Sequence, residues 1–145
     1  MRQKTIQLLT IGKLAERTGT SPDTLRYYEK MGLIKAASRS EAGYRIFGED
    51  AERILQFIKG AKTLNFTLEE IRQLLTLNRS DKATCAEVLN RTTGKIIESE
   101  QKIRELKGVK KALIALTENC PGGEASTADC PILDYIIRGG SSCDK

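Results

Sequence analysis

Histidine and tryptophan are absent from this 145-residue sequence, and aromatic residues make up only 5% of it. Without histidine, zinc sites that combine Cys and His ligands are excluded. The scarcity of aromatic residues argues against the large core of a typical enzyme. The sequence also offers no plausible nucleophile–base pair and no glycine-rich phosphate loop. We therefore expect a protein that is not an enzyme.

Long apolar runs are also missing. No stretch reaches the roughly 20 apolar residues that a membrane-spanning helix needs. The apolar run at 6–11 is too short, and its flanks are too polar, for a signal peptide. We expect a cytoplasmic protein with no membrane contact. In a reducing compartment its four cysteines are more often metal ligands, redox thiols or buried residues than structural disulfides.

Positive charge is confined to one part of the sequence. Residues 1–80 contain 14 Lys/Arg and 9 Asp/Glu, whereas residues 81–145 contain 10 of each. The net charge of +5 therefore comes from the first part alone. A basic segment beside a neutral one favours a polyanionic partner, most simply double-stranded DNA. A basic solvated surface without such a partner is the alternative.

Two short helices joined by a glycine-containing turn are predicted near the start. Apolar residues within 11–15 have helical spacing, and Gly19 ends this first helix. Ser21 can cap a second helix, and Pro22 suits its first position. This second helix runs to about Met31, so the pair predicts a helix-turn-helix motif.

A β-hairpin is predicted directly after this motif. The segment 33–47 has apolar ends around a polar centre, and Gly43 can adopt a positive φ. Residues 44–46 alternate in polarity as a short strand does. A helix-turn-helix followed by a hairpin is the winged form of the motif.

A second helix pair follows the wing. Apolar spacing over 54–64 marks the first helix, and Thr67–Glu70 is a capping box that begins the second. We expect residues 1–9 to form a loose arm and residues 78–82 to form a hinge. The predicted DNA-binding domain therefore occupies residues 1–80.

A dimerisation helix is predicted at 81–119. Thr84–Glu87 is another capping box, and apolar residues then recur at intervals of seven, which is typical of a coiled coil. The alternative is that this stripe packs back on residues 1–80. Three series carry the repeat: Leu89, Ile96 and Ile103; Leu106, Leu113 and Cys120; Val109 and Leu116.

Three cysteines lie at the two ends of this helix. Cys85 is in its first turn, where unpaired N–H groups and the helix dipole favour a thiolate. Residues 85–120 span roughly 50 Å if helical, so one chain cannot bring its own cysteines together. Two antiparallel chains would place Cys85 of one subunit beside Cys120 and Cys130 of the other, which predicts a homodimer with two sites.

A soft divalent metal ion suits three thiolates with no competing oxygen ligand. The predicted metal-binding segment is 120–145, with a loop, a short helix that begins near Cys130, and a tail. Each cysteine could instead be a buried packing residue. We treat Cys143, in the tail, as incidental.

The candidate DNA contacts lie on the second helix and on the wing. Arginine can bond guanine edges or phosphates, and tyrosine hydroxyls commonly bond phosphate. Since adjacent helical residues diverge by about 100°, at most one of the two neighbouring tyrosines is deeply buried. The full set is Arg26, Tyr27, Tyr28 and Lys30 on the helix, Arg39, Tyr44 and Arg45 on the wing, and Lys59 and Lys62 beyond it.

Four motifs together resemble the MerR family of bacterial transcriptional regulators over residues 8–137. They are Thr10–Ala15, Thr24–Leu33, Arg39 with Gly43–Arg45, and Phe66–Ile71. The resemblance implies a mainly α fold: a winged helix-turn-helix domain, a second helix pair, a long antiparallel coiled-coil dimerisation helix and a short metal-binding loop. It also implies DNA contacts at Arg26, Tyr27, Tyr28, Arg39, Tyr44 and Arg45.

The resemblance implies a mechanism as well. Members of the family bind a promoter with an overlong spacer, and an effector makes them distort the DNA so that RNA polymerase can engage. Cysteine at position 85 resembles the sensors of divalent soft ions, whereas the copper, silver and gold branch carries serine there.

The loop cysteines bear on which ion is sensed. Cys120 and Cys130 match the metal-binding loop of the family. Zinc sensors of this branch usually add a second cysteine, where Pro121 stands here, and a histidine. The run from Cys130 to Leu133 is closer to mercury regulators. The expected effector is thus Hg(II), Cd(II) or Pb(II), with Zn(II) open. The alternative is a thiol redox-responsive regulator on the same scaffold.

Overall fold

A computed structural model describes residues 7–140 of the chain. The chain divides into two compact units, and the division falls between Thr92 and Thr93, inside the longest helix. The fold is mainly helical, as the sequence predicts. Within the described range, no helix combines the length and the apolar character that crossing a bilayer requires.

The first unit begins with a strand and the predicted helix-turn-helix. The elements are β1 (Leu9–Thr10), α1 (Ile11–Thr18) and α2 (Pro22–Lys30). Gly19 ends α1 at a φ of 63°, in the left-handed region that favours glycine. At the start of α2 the Ser21 hydroxyl accepts a hydrogen bond from the Thr24 N–H at 3.2 Å. The two helix boundaries therefore follow the capping chemistry that the sequence indicates.

The wing is a small antiparallel sheet. Strands β2 (Ser38–Arg39) and β3 (Arg45–Phe47) form the predicted hairpin, and the sheet order is β1-β3-β2. Leu9 pairs with Phe47 in the register between β1 and β3. The prediction of a loose arm over 1–9 is therefore wrong at Leu9, because β3 supplies a partner that is distant in sequence. Residues 1–6 of that arm lie outside the described residues.

The second helix pair is formed by α3 (Glu49–Thr63) and α4 (Leu68–Asn78). Both halves of the predicted capping box at α4 are present. The Thr67 hydroxyl accepts from the Glu70 N–H at 3.3 Å, and the Glu70 carboxylate accepts from the Thr67 N–H at 2.7 Å. The box fixes where α4 begins.

One hydrophobic core joins both helix pairs to the wing. Its largest fully buried side chains come one each from α1, α2, β3, α3 and α4. They are Leu14, Leu25, Phe47, Ile58 and Ile71. Because the wing contributes Phe47 to the same core as α2, shared packing holds the wing and α2 together.

The longest helix is α5 (Cys85–Glu118), with 34 residues. It begins after a short turn in which the Ser80 N–H donates to the Leu77 carbonyl at 3.1 Å. Many of its large apolar side chains are exposed in the single chain. They are Val88, Leu89, Ile96, Ile97, Ile103, Leu106, Val109, Leu113 and Ile114.

The second unit ends in a loop and a short helix. A 3₁₀ turn (Thr127–Asp129) precedes α6 (Pro131–Ile137). The Ser126 hydroxyl accepts from the Ala128 N–H at 3.2 Å, which starts the 3₁₀ turn. Gly122 and Gly123 have positive φ values of 65° and 60°, and they let the loop turn away from the end of α5.

Candidate nucleic-acid interface and thiol site

Helix α2 separates its side chains into a buried and an exposed set. Leu25 is fully buried and Tyr28 is 5% exposed, whereas Tyr27 is 48% exposed. Arg26 and Lys30 are exposed as well. The expectation that only one of the two tyrosines is deeply buried is therefore confirmed. The exposed side of α2 carries two cations and one phenol.

The buried ring of Tyr28 contacts two exposed residues, Tyr27 and Lys62. Its ring lies 6.2 Å from that of Tyr27, measured between centroids, with the planes tilted by 48°. The Lys62 ammonium lies 5.6 Å from the Tyr28 ring centroid, within the range of a cation–π interaction. Lys62 is exposed, so its charge is held at the surface beside α2.

The tip of the wing is ordered by local hydrogen bonds. The Ser40 N–H donates to the Tyr44 carbonyl at 2.8 Å. Gly43 has a φ of 84°, and its carbonyl accepts from the Arg39 guanidinium at 3.1 Å. Tyr44 is 69% exposed. These contacts present Arg39 and Tyr44 to solvent.

Arginines from α2 and the wing face one shared cavity of about 260 Å³. Acidic groups partner two of them: Arg26 pairs with Asp23 at 2.9 Å, and Arg45 pairs with Glu29 at 3.1 Å. A concave surface with three guanidinium groups suits a phosphate. The cavity is lined by Thr10, Ile11, Arg26, Arg39, Gly43, Tyr44 and Arg45.

Thr10 and Ile11 were not among the residues that the sequence singled out for DNA. The Thr10 hydroxyl caps α1 by accepting from the Lys13 N–H at 3.4 Å. The cavity therefore includes the N-terminal end of α1, where the helix dipole favours an anion. The cap signal at Thr10 was present in the sequence, but the pairing of β1 with β3 that brings it to the wing was not.

Cys85 is the first residue of α5 and is exposed. The Glu87 carboxylate accepts from the Thr84 N–H at 2.7 Å, which is half of the predicted capping box. In the other half, the Glu87 N–H donates to the Thr84 carbonyl at 3.2 Å instead of to its hydroxyl. The Thr84 hydroxyl turns to the Glu87 carboxylate at 3.3 Å.

A cavity of about 330 Å³ adjoins the Cys85 thiol in the first unit. Its walls are partly apolar, with contributions from α3, α4 and the start of α5. Phe57, Leu74, Leu77 and Val88 line it together with polar residues of the turn. Cys85 thus lines a partly apolar cavity within the first unit.

Cys120 and Cys130 both lie in the second unit, on either side of the loop that joins α5 to α6. Both residues are half-buried. The pKa of the Cys130 thiol is lowered, first by the nearby backbone N–H of Leu133. The N–H of Ile132 and the Cys120 thiol lower the Cys130 pKa further, and partial burial opposes them. The start of α6 therefore favours a thiolate at Cys130.

The predicted metal site is not formed among the described residues of one chain. Over residues 7–140, no three side chains among Cys, His, Asp and Glu lie close enough to hold a metal ion. Cys85 belongs to the first unit, whereas Cys120 and Cys130 belong to the second.

A winged helix-turn-helix with a cationic cavity and a long, apolar-striped helix defines a DNA-binding regulator. The chain belongs to the MerR family of regulatory proteins. The family model described as MerR family regulatory protein matches residues 10–47, and the model described as MerR, DNA binding, matches residues 52–116.

Several regulators align with nearly the whole length of this chain. The mercuric resistance operon regulatory protein of Bacillus cereus is 38% identical over 88% of this chain and 96% of its own length. The transcription regulator PbrR691 of Ralstonia metallidurans, solved in complex with lead(II), has a TM-score of 0.76 and 30% identity, covering 88% and 98% of the two chains. The regulator MerR of Bacillus megaterium, solved with mercury(II), has a TM-score of 0.60 and 37% identity, covering 89% and 99%.

Proposed function

We propose that this chain is a metal-responsive transcriptional regulator. It binds promoter DNA as a homodimer, and a soft divalent ion at a thiolate site makes it activate transcription. The observation that carries the proposal is the placement of cysteines at both ends of α5. Cys85 is the first residue of this helix, and Cys120 and Cys130 are half-buried in the segment that follows it. Similarity to regulators solved with lead(II) and with mercury(II) supports it.

The apolar side chains of α5 support the homodimer. Leu89, Ile96 and Ile103 recur at intervals of seven, and each is more than half exposed in the single chain. A second copy that buries this stripe gains the hydrophobic free energy that the single chain leaves unused. An antiparallel pairing places the start of each α5 helix near the end of the other.

The metal site in this proposal is shared between subunits. Cys85 of one subunit and Cys120 and Cys130 of the partner subunit provide three thiolates. This donor set suits Hg(II), Cd(II), Pb(II) or Zn(II), all of which accept sulfur ligands. The lowered pKa of the Cys130 thiol favours binding, because a thiol must lose its proton to become a ligand.

The DNA contacts in this proposal are the exposed cations and phenols of α2 and the wing. Arg26, Tyr27 and Lys30 lie on the exposed side of α2, and Arg39, Tyr44 and Arg45 line the wing cavity or its rim. Lys62 adds a charge beside Tyr28, whose ring is almost fully buried. Metal binding between the subunits would change the distance between their two DNA-binding surfaces. The bound promoter would then be distorted into a form that RNA polymerase can engage.

The proposal is tested by titrating the purified homodimer with Hg(II), Cd(II), Pb(II) and Zn(II). We expect thiolate-to-metal charge-transfer absorption that saturates at two ions per dimer. Cys85→Ser is expected to weaken binding by more than about 100-fold, since even the partners of metal ligands contribute 10- to 100-fold. Cys143→Ser is the matched control and should leave binding unchanged. Unaltered affinity in Cys85→Ser would show that the shared site is wrong.

A further inference from the structure

A hydrogen bond between side chains distant in sequence joins α4 to the start of α5. The Arg91 guanidinium on α5 donates to the Gln73 amide oxygen on α4, and 18 positions separate the two residues. Both residues belong to the first unit, which ends at Thr92. The bond therefore crosses the turn by which the winged helix-turn-helix domain passes into α5.

A charged pair on α4 fixes the orientation of the Gln73 amide. Its Nε2 donates to the Glu69 carboxylate at 3.3 Å. The same carboxylate accepts two bonds from the Arg72 guanidinium, at 3.1 and 3.0 Å. Because a carboxylate can only accept hydrogen bonds, it holds the amide nitrogen and leaves the amide oxygen directed to Arg91. A reversed amide would lose both bonds.

The distance of this bond from the turn gives it control over the angle between the two helices. Arg91 lies six residues after the start of α5, and Gln73 lies five residues before the end of α4. At the helical rise, each residue is roughly 7 to 9 Å from its end of the turn. Backbone bonds of the turn itself, such as that from the Ala83 N–H to the Ser80 carbonyl at 3.3 Å, act close to the pivot. The bond farther from the pivot restricts the angle more strongly.

Apolar packing between the same two helices is incomplete within one subunit. The cavity of about 330 Å³ is lined by Leu74 and Leu77 of α4 and by Val88 of α5. Val88 is 41% exposed. A cavity resists a change of angle less than a filled core does, because the contacts across it are missing. The polar bond between α4 and α5 is therefore an important restraint at this junction.

We infer that the bond between Gln73 and Arg91 is a positioning contact that sets how strictly the homodimer measures the spacing between its two DNA half-sites. The inference rests on the proposed function, in which paired α5 helices join two domains on one promoter. One base pair added between the half-sites moves one of them by about 3.4 Å and rotates it by about 35°. A domain held at a fixed angle to α5 cannot follow this change, whereas a domain released from the bond can.

The test uses Gln73→Ala, which removes the bond without changing the charge of the protein. The full-length protein first selects its operator from a pool of random duplex DNA. Affinity is then measured for this operator and for versions with one base pair more or fewer between the half-sites. We expect the ratio of affinities between the preferred and the altered spacing to fall about 2- to 10-fold in the variant, which is the range of one net hydrogen bond.

A matched control separates positioning from general damage. Gln101→Ala makes the same change on α5, at a residue whose side-chain bonds stay within that helix. The control should keep the wild-type ratio. An equal loss of affinity at every spacing in Gln73→Ala, which leaves the ratio unchanged, would overturn the inference. An equal fall of the ratio in Gln101→Ala would overturn it as well.

The bond itself is measured without DNA. Urea unfolding of Gln73→Ala, Arg91→Ala and the double variant, at one protein concentration, gives a double-mutant cycle. We expect a coupling of about 2- to 10-fold in the unfolding equilibrium constant. Additive effects would overturn the inference whatever the DNA measurements give. Coupling in a protein that selects no paired half-sites would count against the proposed function, and the bond would then stand as a structural contact only.

Discussion

The Arg45 guanidinium of the wing pairs with the Glu29 carboxylate of α2, with Nε and Oε2 separated by 3.1 Å. Both side chains are partly exposed, so the pair adds less than about 1 kcal/mol to the stability of the fold. Its importance is positional. It fixes the direction of a wing arginine relative to the helix that carries Arg26 and Tyr27.

The first prediction concerns this pair. In Glu29→Gln the wing arginine loses its charged partner, and the surface also gains one net positive charge. We expect affinity for non-specific DNA to rise and the ratio of specific to non-specific affinity to fall. Competition binding at fixed salt measures both quantities. Equal rises in the two affinities would show that Glu29 only neutralises charge and does not position Arg45.

The second prediction concerns phosphate contacts at the wing. Arg39→Ala removes an exposed guanidinium that the Gly43 carbonyl holds in place. We expect weaker binding to all DNA sequences and a decrease of about 1 in the slope of log affinity against log salt. Arg104→Ala, on α5, is the matched control with the same change in charge. The same loss of slope in both variants would argue against a contact at the wing.

The third prediction concerns the shared core. Phe47 is fully buried between the wing and the helices, so Phe47→Ala should lower the free energy of unfolding by about 3–5 kcal/mol. Tyr44→Ala, at the exposed tip of the same wing, should change it by less than about 0.5 kcal/mol. Urea unfolding at one protein concentration gives both values. A small effect for Phe47→Ala would mean that the wing does not share the core.

The fourth prediction concerns pH. The Leu133 N–H, helped by Ile132 and Cys120, lowers the pKa of the Cys130 thiol, so the folded protein holds the Cys130 thiolate at lower pH than the unfolded chain does. Cys130 in the metal-free protein should thus be alkylated with a pH midpoint below the ordinary value near 8.5. The midpoint should rise again in denaturant. Equal midpoints in the two states would contradict the role of the α6 terminus.

Local signals accounted for most of the fold. The cap at Ser21, the glycine at 19 and the capping box at Thr67 are short-range chemistry, and the structure confirms each of them. The strand at Leu9–Thr10 could not be found in this way, because two residues have no periodicity and their pairing partners, Phe47 and Ile46, are distant in sequence. The Thr84 box formed only in part, since the Thr84 hydroxyl bonds the carboxylate of Glu87.

The sequence predicted which residues belong to the candidate sites, but it did not predict how those residues are arranged in space. Sequence spacing placed Cys85 at the start of the long helix, and the structure confirms that position. The lowered pKa of the Cys130 thiol depends on how the backbone folds at the start of α6, which spacing alone does not fix. The participation of Thr10 in the wing cavity likewise needed the tertiary structure.

The central claim, that one metal site takes ligands from two subunits, is tested most directly in a mixed dimer. One subunit carries Cys85→Ser, and the other carries Cys120→Ser together with Cys130→Ser. Shared ligation leaves one intact site in this dimer, so we predict one bound ion with full charge-transfer absorption, although neither homodimer of the variants binds. A mixed dimer that binds no ion would contradict the account, because ligands from a single chain would then be broken in both subunits.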